Sequence, residues 1–245
     1  MVNNKTLIFG HKNPDTDSIM SSMVMANLEN QLGNEAIPVR LGKINKETEY
    51  VFNYLQIERP EDGQNVILVD HNESTQSANN ISNANILKVI DHHTMNFVAP
   101  YQLYYRAEPV GCTATVLYKM YKEYDVEITK TIATLMLSAI ISDTLLLKSP
   151  TCTKEDKVIA EKLAKIAEVD LEKYGKDLLK AGTDISDFTP EEVINIDSKL
   201  FEKGGKKFKI AQINTADIDD VFKNKAYFET AINNEIANEN LDLYV

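Results

Sequence analysis

The stretch LIFGHKNPDTDSIMSS, residues 7–22, joins a short apolar run to a segment rich in metal-binding side chains. The apolar run is followed by His11, Asp15 and Asp17, ahead of a predicted helix at residues 18–32. Short apolar runs of this kind are typical of strands in parallel α/β sheets, which bind ligands at the carboxyl ends of their strands. We therefore expect a strand, a loop and a helix here, with the loop at a functional edge of a sheet.

The same alternation of apolar runs and helical segments continues through residues 1–182, which we predict to form the first domain. The predicted strands cover residues 5–9, 37–41, 65–70, 86–91 and 103–107. The predicted helices cover residues 18–32, 46–56, 111–124, 130–147, 153–169 and about 170–181. This pattern indicates an α/β domain with a mostly parallel sheet sandwiched by helices.

A smaller α/β domain is predicted at residues 191–245, after a linker at residues 183–190 that is rich in turn-forming residues. Its predicted elements are a helix at 190–202, a strand at 206–213, a helix at 217–238 and a strand at 241–245. The last strand is expected to be central in a parallel sheet, which would leave an apolar edge without a neighbour. The second domain is therefore expected to be incomplete.

Composition excludes several classes of protein. The net charge of −11 argues against a general nucleic-acid binder, because phosphate backbones repel an acidic surface. No apolar run approaches the ~18 residues of a membrane-spanning helix, and the N-terminal residues do not resemble a signal peptide. Cys112 and Cys152 are the only cysteines and neither lies in a metal-binding type of pair, so two reduced cysteines in a cytoplasmic protein are expected.

Histidines and aspartates recur together at three predicted strand ends. All four histidines of the chain lie there, namely His11, His71, His92 and His93. The aspartates at the same strand ends are Asp15, Asp17, Asp70 and Asp91. A single aspartate at a strand end is usually a helix cap or a turn residue. Three strand ends of one sheet that each carry both residue types favour a metal site.

The spacing of Asp15 and Asp17 leaves two alternatives. In an extended loop both side chains face the same side, roughly 6–7 Å apart, which suits two metal ions held about 3.5–4 Å from each other. In the competing interpretation, Asn13 caps a helix that begins at the next residue. We favour the loop, with Thr16 or Ser18 as the true helix cap.

His92 and His93 are consecutive, so in extended backbone their side chains would point to opposite sides of the strand. At most one of them would then face the metals easily, and the other would face a substrate or the core. A mixed set of imidazoles and carboxylates favours Mn²⁺, Co²⁺ or Zn²⁺ over Ca²⁺.

Asp143 lies in the most apolar predicted helix, residues 130–147. A buried carboxylate without a partner is costly, so Asp143 requires either a salt bridge to a lysine or arginine, or a role as a metal ligand. The sequence alone leaves both alternatives open.

Five separated motifs resemble the family II inorganic pyrophosphatases of the DHH phosphoesterase superfamily, in order from residue 5 to residue 245. These motifs are GHKNPDTDS, LVDHNE, VIDHH, RAEPVGCTAT and LSAIISDTLLLKSPTCT. The resemblance implies a catalytic DHH domain, a DHHA2-like second domain, and a homodimer formed through the first domain. It also implies hydrolysis of pyrophosphate to two phosphates by a water activated between two Mn²⁺ or Co²⁺ ions, with additional Mg²⁺ brought by the substrate.

The resemblance also implies a role for individual residues. His11 and Asp15 would hold one metal, Asp17, His92 and Asp143 the other, and Asp70 would bridge both. His93 would contact the substrate, and Lys199 would supply a cation from the second domain, with Lys206 and Lys207 as weaker candidates. Asp91 and His71 would orient the ligands.

The family continues beyond the position of Val245 to a second basic motif, so we expect weak turnover from a chain that ends there. Two alternative functions remain open at this point. One is another DHH phosphoesterase that acts on short polyphosphate or nucleotide phosphates. The other is a catalytically weak metal-binding fragment.

Overall fold

The structure is a computed structural model that describes residues 5–42, 45–55, 65–78, 81–99, 101–182, 189–195, 198–211, 222–223 and 225–245. The chain divides into two compact units, Met1–Gly182 and Thr183–Val245. Most of the predicted linker lies outside the described residues, and its last two residues, Thr189 and Pro190, begin a short helix. Among the described residues, no helix combines the length and the apolar character needed to cross a bilayer.

A five-stranded parallel sheet organises the first unit. Its strands are β1 (Thr6–Phe9), β2 (Ala36–Pro38), β3 (Asn65–Val69), β4 (Asn85–Asp91) and β5 (Tyr104–Ala107). They lie in the order β2-β1-β3-β4-β5, and every neighbouring pair is parallel. The chain moves from β1 outward to β2 and then crosses to the other side of β1 to form β3. A reversal of this kind opens a crevice at the carboxyl ends of β1 and β3, where α/β proteins bind ligands.

Six helices contribute to the larger of the two cores of this unit. They are α1 (Thr16–Gln31), α2 (Lys46–Leu55), α3 (Thr113–Glu123), α4 (Lys130–Asp143), α5 (Lys154–Ala167) and α6 (Leu171–Gly182). Their apolar side chains pack with Ile8, Ile67 and Ile90 from one face of the sheet. The opposite face carries a smaller core, in which Phe9 and Leu68 pack with Ile81 from a 3₁₀ turn. These observations confirm the predicted α/β fold class.

Helix α4 ends at Asp143, so the predicted helix at residues 130–147 is four residues too long. The hydroxyl group of Thr144 bonds to the carbonyl of Ile140 and accepts the N–H of Leu147 at 3.1 Å. The three residues Leu145–Leu147 then adopt left-handed backbone angles, with φ of 48°, 54° and 63°. The apolar character of this segment predicted burial correctly, but side-chain bonding to the backbone stops the helix.

The second unit contains a separate, smaller sheet. Its described elements are α7 (Pro190–Val193), β6 (Ser198–Lys203), β7 (Lys206–Ala211), α8 (Lys225–Glu239) and β8 (Leu243–Tyr244). Strands β6 and β7 are antiparallel, and β7 pairs with β8 in parallel. The two predicted strands do pair in parallel, but the sheet is mixed, and the last strand lies at its edge among the described residues rather than in its centre. The parts of the predicted strand and helix at residues 212–221 lie outside the described residues.

The predicted helix at residues 190–202 was also wrong, because its second half forms strand β6. Gly204 and Gly205 connect β6 to β7 with φ values of 62° and 73°, which favour a two-residue hairpin turn. Phe201 pairs with Phe208 across this hairpin, and their rings stack with centroids 5.5 Å apart. The Gly-Gly pair between two strand-like runs was the sequence signal for this hairpin.

Candidate metal centre

Asp15 caps helix α1, so the predicted loop extends through Asp15 but not to Asp17, and Asn13 is not the cap. Its backbone is extended, and its Oδ1 accepts the N–H of Ser18 at 2.9 Å. Asp17 lies inside the first turn of the helix and is fully buried. The helix therefore starts earlier than predicted, because an aspartate was the cap rather than Thr16 or Ser18.

The first group of side chains that could hold a metal combines His11, Asp15 and Asp70. His11 Nε2 lies 3.5 Å from Asp15 Oδ2 and 3.5 Å from Asp70 Oδ2. His11 follows β1 and Asp70 follows β3, so the crevice between these two strands brings the group together.

The second group combines Asp17, Asp70, His92 and Asp143. His92 Nε2 lies 3.3 Å from Asp70 Oδ1 and 3.6 Å from Asp143 Oδ2. His92 Nδ1 donates a hydrogen bond to the carbonyl of Val110 at 3.1 Å. Because a carbonyl can only accept, that bond requires a proton on Nδ1, and Nε2 is the ring nitrogen that faces the carboxylates.

Asp70 belongs to both groups and directs one carboxylate oxygen to each, and it also forms a third possible group with His92 and His93. Its Oδ2 faces His11 and its Oδ1 faces His92. The backbone of Asp70 is left-handed, with φ of 59°, a conformation that aspartate adopts more readily than most residues. The turn out of β3 therefore places this carboxylate between the two groups.

The centre concentrates negative charge in a buried place. Burial raises the pKa of Asp70 well above its usual value, and the neighbouring carboxylates of Asp17 and Asp15 raise it further. Burial and the carboxylates of Asp17 and Asp70 raise the pKa of Asp143 in the same way. Among the described residues, the structure places His92 rather than a lysine or arginine beside Asp143. A cluster of carboxylate and imidazole donors that repel each other fits divalent cations such as Mn²⁺.

His93 lies beside His92, with ring centroids 4.2 Å apart, so the expectation of opposite sides was wrong. Strand β4 ends at Asp91, and the chain bends at His93 instead of continuing as extended backbone. His93 Nδ1 donates to Asp91 Oδ1 at 2.9 Å, and this hydrogen bond raises the pKa of His93. The side chain is 53% exposed, which leaves its Nε2 available for a substrate.

Asn72 is a site residue that the sequence reasoning missed. Its amide group donates to Asp91 Oδ2 at 2.6 Å, and its Oδ1 accepts the N–H of Asn96 at 2.6 Å. Asp91 also accepts the backbone N–H groups of His92 and His93. Asn72 thus links the turn after β3 to the turn after β4, and its place two residues after Asp70 was the available signal.

His71 belongs to neither ligand group and packs beside them. Its Nδ1 donates to the carbonyl of Val69 at 2.9 Å, and its Nε2 accepts from the hydroxyl of Ser77 at 3.1 Å. Burial lowers the pKa of His71 to about 4, so its ring is neutral near pH 7. Its ring meets that of His11 edge-on at 6.5 Å, so it packs against one of the candidate ligands.

A cavity of about 470 Å³ opens beside the two groups. The residues that line it are His11, Lys12, Asn13, His71, Asn72, Glu73, Gln76, His93 and Thr94. This lining offers a cation, amides and imidazoles, which can bind the oxygens of a small anion. Lys12 and Gln76 were not predicted, although Lys12 directly follows His11. Lys199, the predicted cation of the second unit, lies exposed on β6.

Two family descriptions match the chain. The DHH family, N-terminal domain, matches residues 5–140, and the DHHA2 domain matches residues 176–245. The manganese-dependent inorganic pyrophosphatase of Bacillus subtilis is 55% identical over 249 aligned positions, which cover 98% of this chain and 81% of that protein.

Solved structures give a consistent result. A Methanococcus jannaschii protein assigned to the family II inorganic pyrophosphatases has a TM-score of 0.76 and 38% identity, covering 98% of this chain and 82% of its own. An exopolyphosphatase-related protein from Bacteroides fragilis has a TM-score of 0.59 at 13% identity, and the aligned region covers 84% of this chain and 65% of that protein. At this identity the likeness shows a shared fold alone. With a DHH domain, a DHHA2 domain and such similarity over nearly its whole length, the chain belongs to the family II, manganese-dependent inorganic pyrophosphatases.

Proposed function

We propose that this chain hydrolyses inorganic pyrophosphate to two phosphates in a manganese-dependent reaction. The observation that carries the proposal is the pair of ligand groups that share Asp70, one oxygen of which faces each group. The relatives named as pyrophosphatases support the choice of substrate.

The six candidate ligands have separate assignments in this proposal. His11 and Asp15 hold one Mn²⁺, Asp17, His92 and Asp143 hold the other, and Asp70 bridges them. When bound, such a pair of ions lowers the pKa of a coordinated water and neutralises the charge of the phosphates. Co²⁺ is the alternative metal, and additional Mg²⁺ accompanies the substrate.

His93 acts on the substrate rather than on the metals. Its hydrogen bond to Asp91 places a proton on Nδ1 and favours the imidazolium form. The exposed Nε2 can then donate a hydrogen bond or a proton to a phosphate oxygen that gains negative charge as the bond to the other phosphate breaks. Asp91 orients the ring for this role.

Lys199 supplies a positive charge to a substrate phosphate in this proposal. Its ammonium group is exposed on β6, and the described residues form no ion pair with it, so it is available to an anion. A homodimer in the cytoplasm completes the proposal. Both cysteines are free, as a reducing compartment requires.

The test compares three substrates with Mn²⁺ and Mg²⁺ present, namely pyrophosphate, tripolyphosphate and a dinucleotide. We expect release of phosphate from pyrophosphate at a higher kcat/KM than from the other two. A preference for tripolyphosphate or the dinucleotide would assign the chain to another group of DHH phosphoesterases. Binding of Mn²⁺ without hydrolysis of any of the three at saturating concentration would contradict an enzymatic role.

A further inference from the structure

Two buried hydroxyl groups at the starts of two helices converge on the candidate metal centre. Ser18 lies in the first turn of α1, and Thr113 is the first residue of α3. Both side chains are fully buried. Each uses its backbone N–H and its side-chain oxygen to contact two different carboxylates.

Ser18 contacts every member of the first ligand group. Its N–H donates to Asp15 Oδ1 at 2.9 Å, and its hydroxyl donates to Asp70 Oδ2 at 2.9 Å. The same hydroxyl oxygen accepts the N–H of His11 at 3.3 Å. A Cβ at Gly10 would lie 2.5 Å from Ser18 Cβ, so the close approach of β1 leaves little room for Ser18 to move.

Thr113 makes the corresponding contacts on the other side. Its N–H donates to Asp17 Oδ2 at 2.8 Å, and its hydroxyl donates to Asp70 Oδ1 at 3.2 Å. The carbonyl of Val110, which fixes the ring of His92, lies three residues earlier in the same segment. The segment from Val110 to Thr113 therefore supports three members of the second group.

The hydroxyl bonds determine which way the Asp70 carboxylate can face. A carboxylate oxygen offers about two lone-pair directions. A hydroxyl that occupies one of them on each oxygen leaves the other direction for a metal, and it prevents rotation of the carboxylate plane. Removal of one hydroxyl would release one oxygen while the opposite oxygen stays bonded.

We propose that Ser18 and Thr113 are the positioning residues of the metal centre, each fixing the Asp70 oxygen on its own side and thereby the affinity of one metal position. This inference rests on the proposed two-metal function. It assigns the Ser18 hydroxyl to the position formed by His11 and Asp15. It assigns the Thr113 hydroxyl to the position formed by Asp17, His92 and Asp143.

The test measures Mn²⁺ binding to the metal-free full chain from the electron paramagnetic resonance signal of unbound Mn²⁺. We expect Ser18→Ala and Thr113→Val each to weaken one of two Mn²⁺ affinities by roughly 10- to 100-fold. Thr113→Ser, which keeps the hydroxyl, should restore wild-type binding.

Two residues provide matched controls. Ser22 is a buried serine of the same helix α1 whose hydroxyl donates to the carbonyl of Ile19, and Thr134 is a buried threonine whose hydroxyl donates to the carbonyl of Lys130. Ser22→Ala and Thr134→Val remove a hydroxyl without touching a carboxylate, so Mn²⁺ binding should stay within about twofold of wild type.

Double variants test the assignment of sides. In the His92→Ala background, the position formed by His11 should bind Mn²⁺ more tightly than the other position. Addition of Ser18→Ala should then lower the Mn²⁺ affinity of the His11 position. In the His11→Ala background, Ser18→Ala should have little additional effect on Mn²⁺ affinity. Thr113→Val should lower the Mn²⁺ affinity in the His11→Ala background and have little effect in the His92→Ala background. Far-ultraviolet circular dichroism of the metal-free variants establishes that they are folded. If Ser18→Ala is not folded, it is replaced by Ser18→Cys, which is nearly isosteric with serine and is a weaker hydrogen-bond donor.

The possible failures are distinguishable. If wild type binds two Mn²⁺ and the Ser18 and Thr113 variants bind like the controls, the positioning role is overturned and the two-metal function stands. If Ser18→Ala or Thr113→Val lowers the Mn²⁺ affinity equally in the His92→Ala and the His11→Ala backgrounds, the assignment of each hydroxyl to one position is overturned. If wild type binds fewer than two Mn²⁺, the proposed function itself fails.

Discussion

The candidate site residues of the two units differ in their exposure to solvent. In the first unit, the candidate ligands Asp17 and Asp70 are buried, and Asp70 receives hydrogen bonds from two hydroxyl groups. In the second unit, Lys199 is exposed on strand β6, where its backbone pairs with Ile210. Buried carboxylates require partners that hold them in one arrangement, whereas an exposed lysine is solvated and remains free to meet an anion. The difference indicates that folding of the first unit arranges the candidate ligands before a metal or a substrate binds.

The strongest test of this difference is Asp70→Asn. The substitution keeps the shape of the side chain but removes the charge shared by both ligand groups. We expect binding of both Mn²⁺ ions to weaken and kcat/KM for pyrophosphate to fall by roughly 1,000-fold or more. Phosphate release and Mn²⁺ titration measure the two effects.

Asp125→Asn is the matched control for that experiment. Asp125 also has a left-handed backbone, with φ of 53°, but it is exposed after α3. Wild-type binding and turnover are expected. A comparable loss in both variants would mean that the charge at Asp70 is not the cause.

His93→Gln separates metal binding from catalysis within the first unit. We expect kcat to fall roughly 100- to 1,000-fold, because a proton donor is lost, while both Mn²⁺ affinities stay near wild type. Steady-state kinetics and Mn²⁺ titration on the same preparation measure both quantities. A parallel loss of Mn²⁺ would instead make His93 a ligand.

Lys199→Ala tests the second unit directly. We expect kcat/KM to fall about 10- to 100-fold, less than for a buried and preorganised donor, with Mn²⁺ binding unchanged. Lys225→Ala is the control, since Lys225 lies on helix α8 of the same unit, is also exposed and was not predicted to contact the substrate. Equal effects of the two substitutions on kinetics would assign the contribution to general charge rather than to Lys199.

Removal of metal should affect the two units unequally. With Mn²⁺ at about 100 times the Kd of each of the two positions, chelation should lower the Tm by roughly 10–20 °C, because the ions bind only the folded state. Hydrogen exchange should become faster around His11 and His92 but not in the β6–β7 hairpin. An equal change in both regions would contradict a metal centre confined to the first unit.

Several parts of this molecule follow from local sequence patterns. Short apolar runs predicted all five strands of the first sheet within a few residues, because strands buried on both faces need continuous apolar side chains. The histidines and aspartates at strand ends predicted a cluster at one edge, because the carboxyl ends of parallel strands share that edge. The hairpin of β6 and β7 was missed despite its Gly-Gly signal, since the charged residues around it also suit a helix.

Tertiary structure decided the arrangement of the individual side chains. The sequence placed Asp15 and Asp17 near each other, but only the folded chain shows one as a helix cap and the other inside the first turn. It did not reveal that Ser18 and Thr113, 95 positions apart in the sequence, donate to opposite oxygens of Asp70. The physical reason is that residue types and local periodicity determine which groups reach the sheet edge, whereas hydrogen bonds between distant segments determine how those groups face one another.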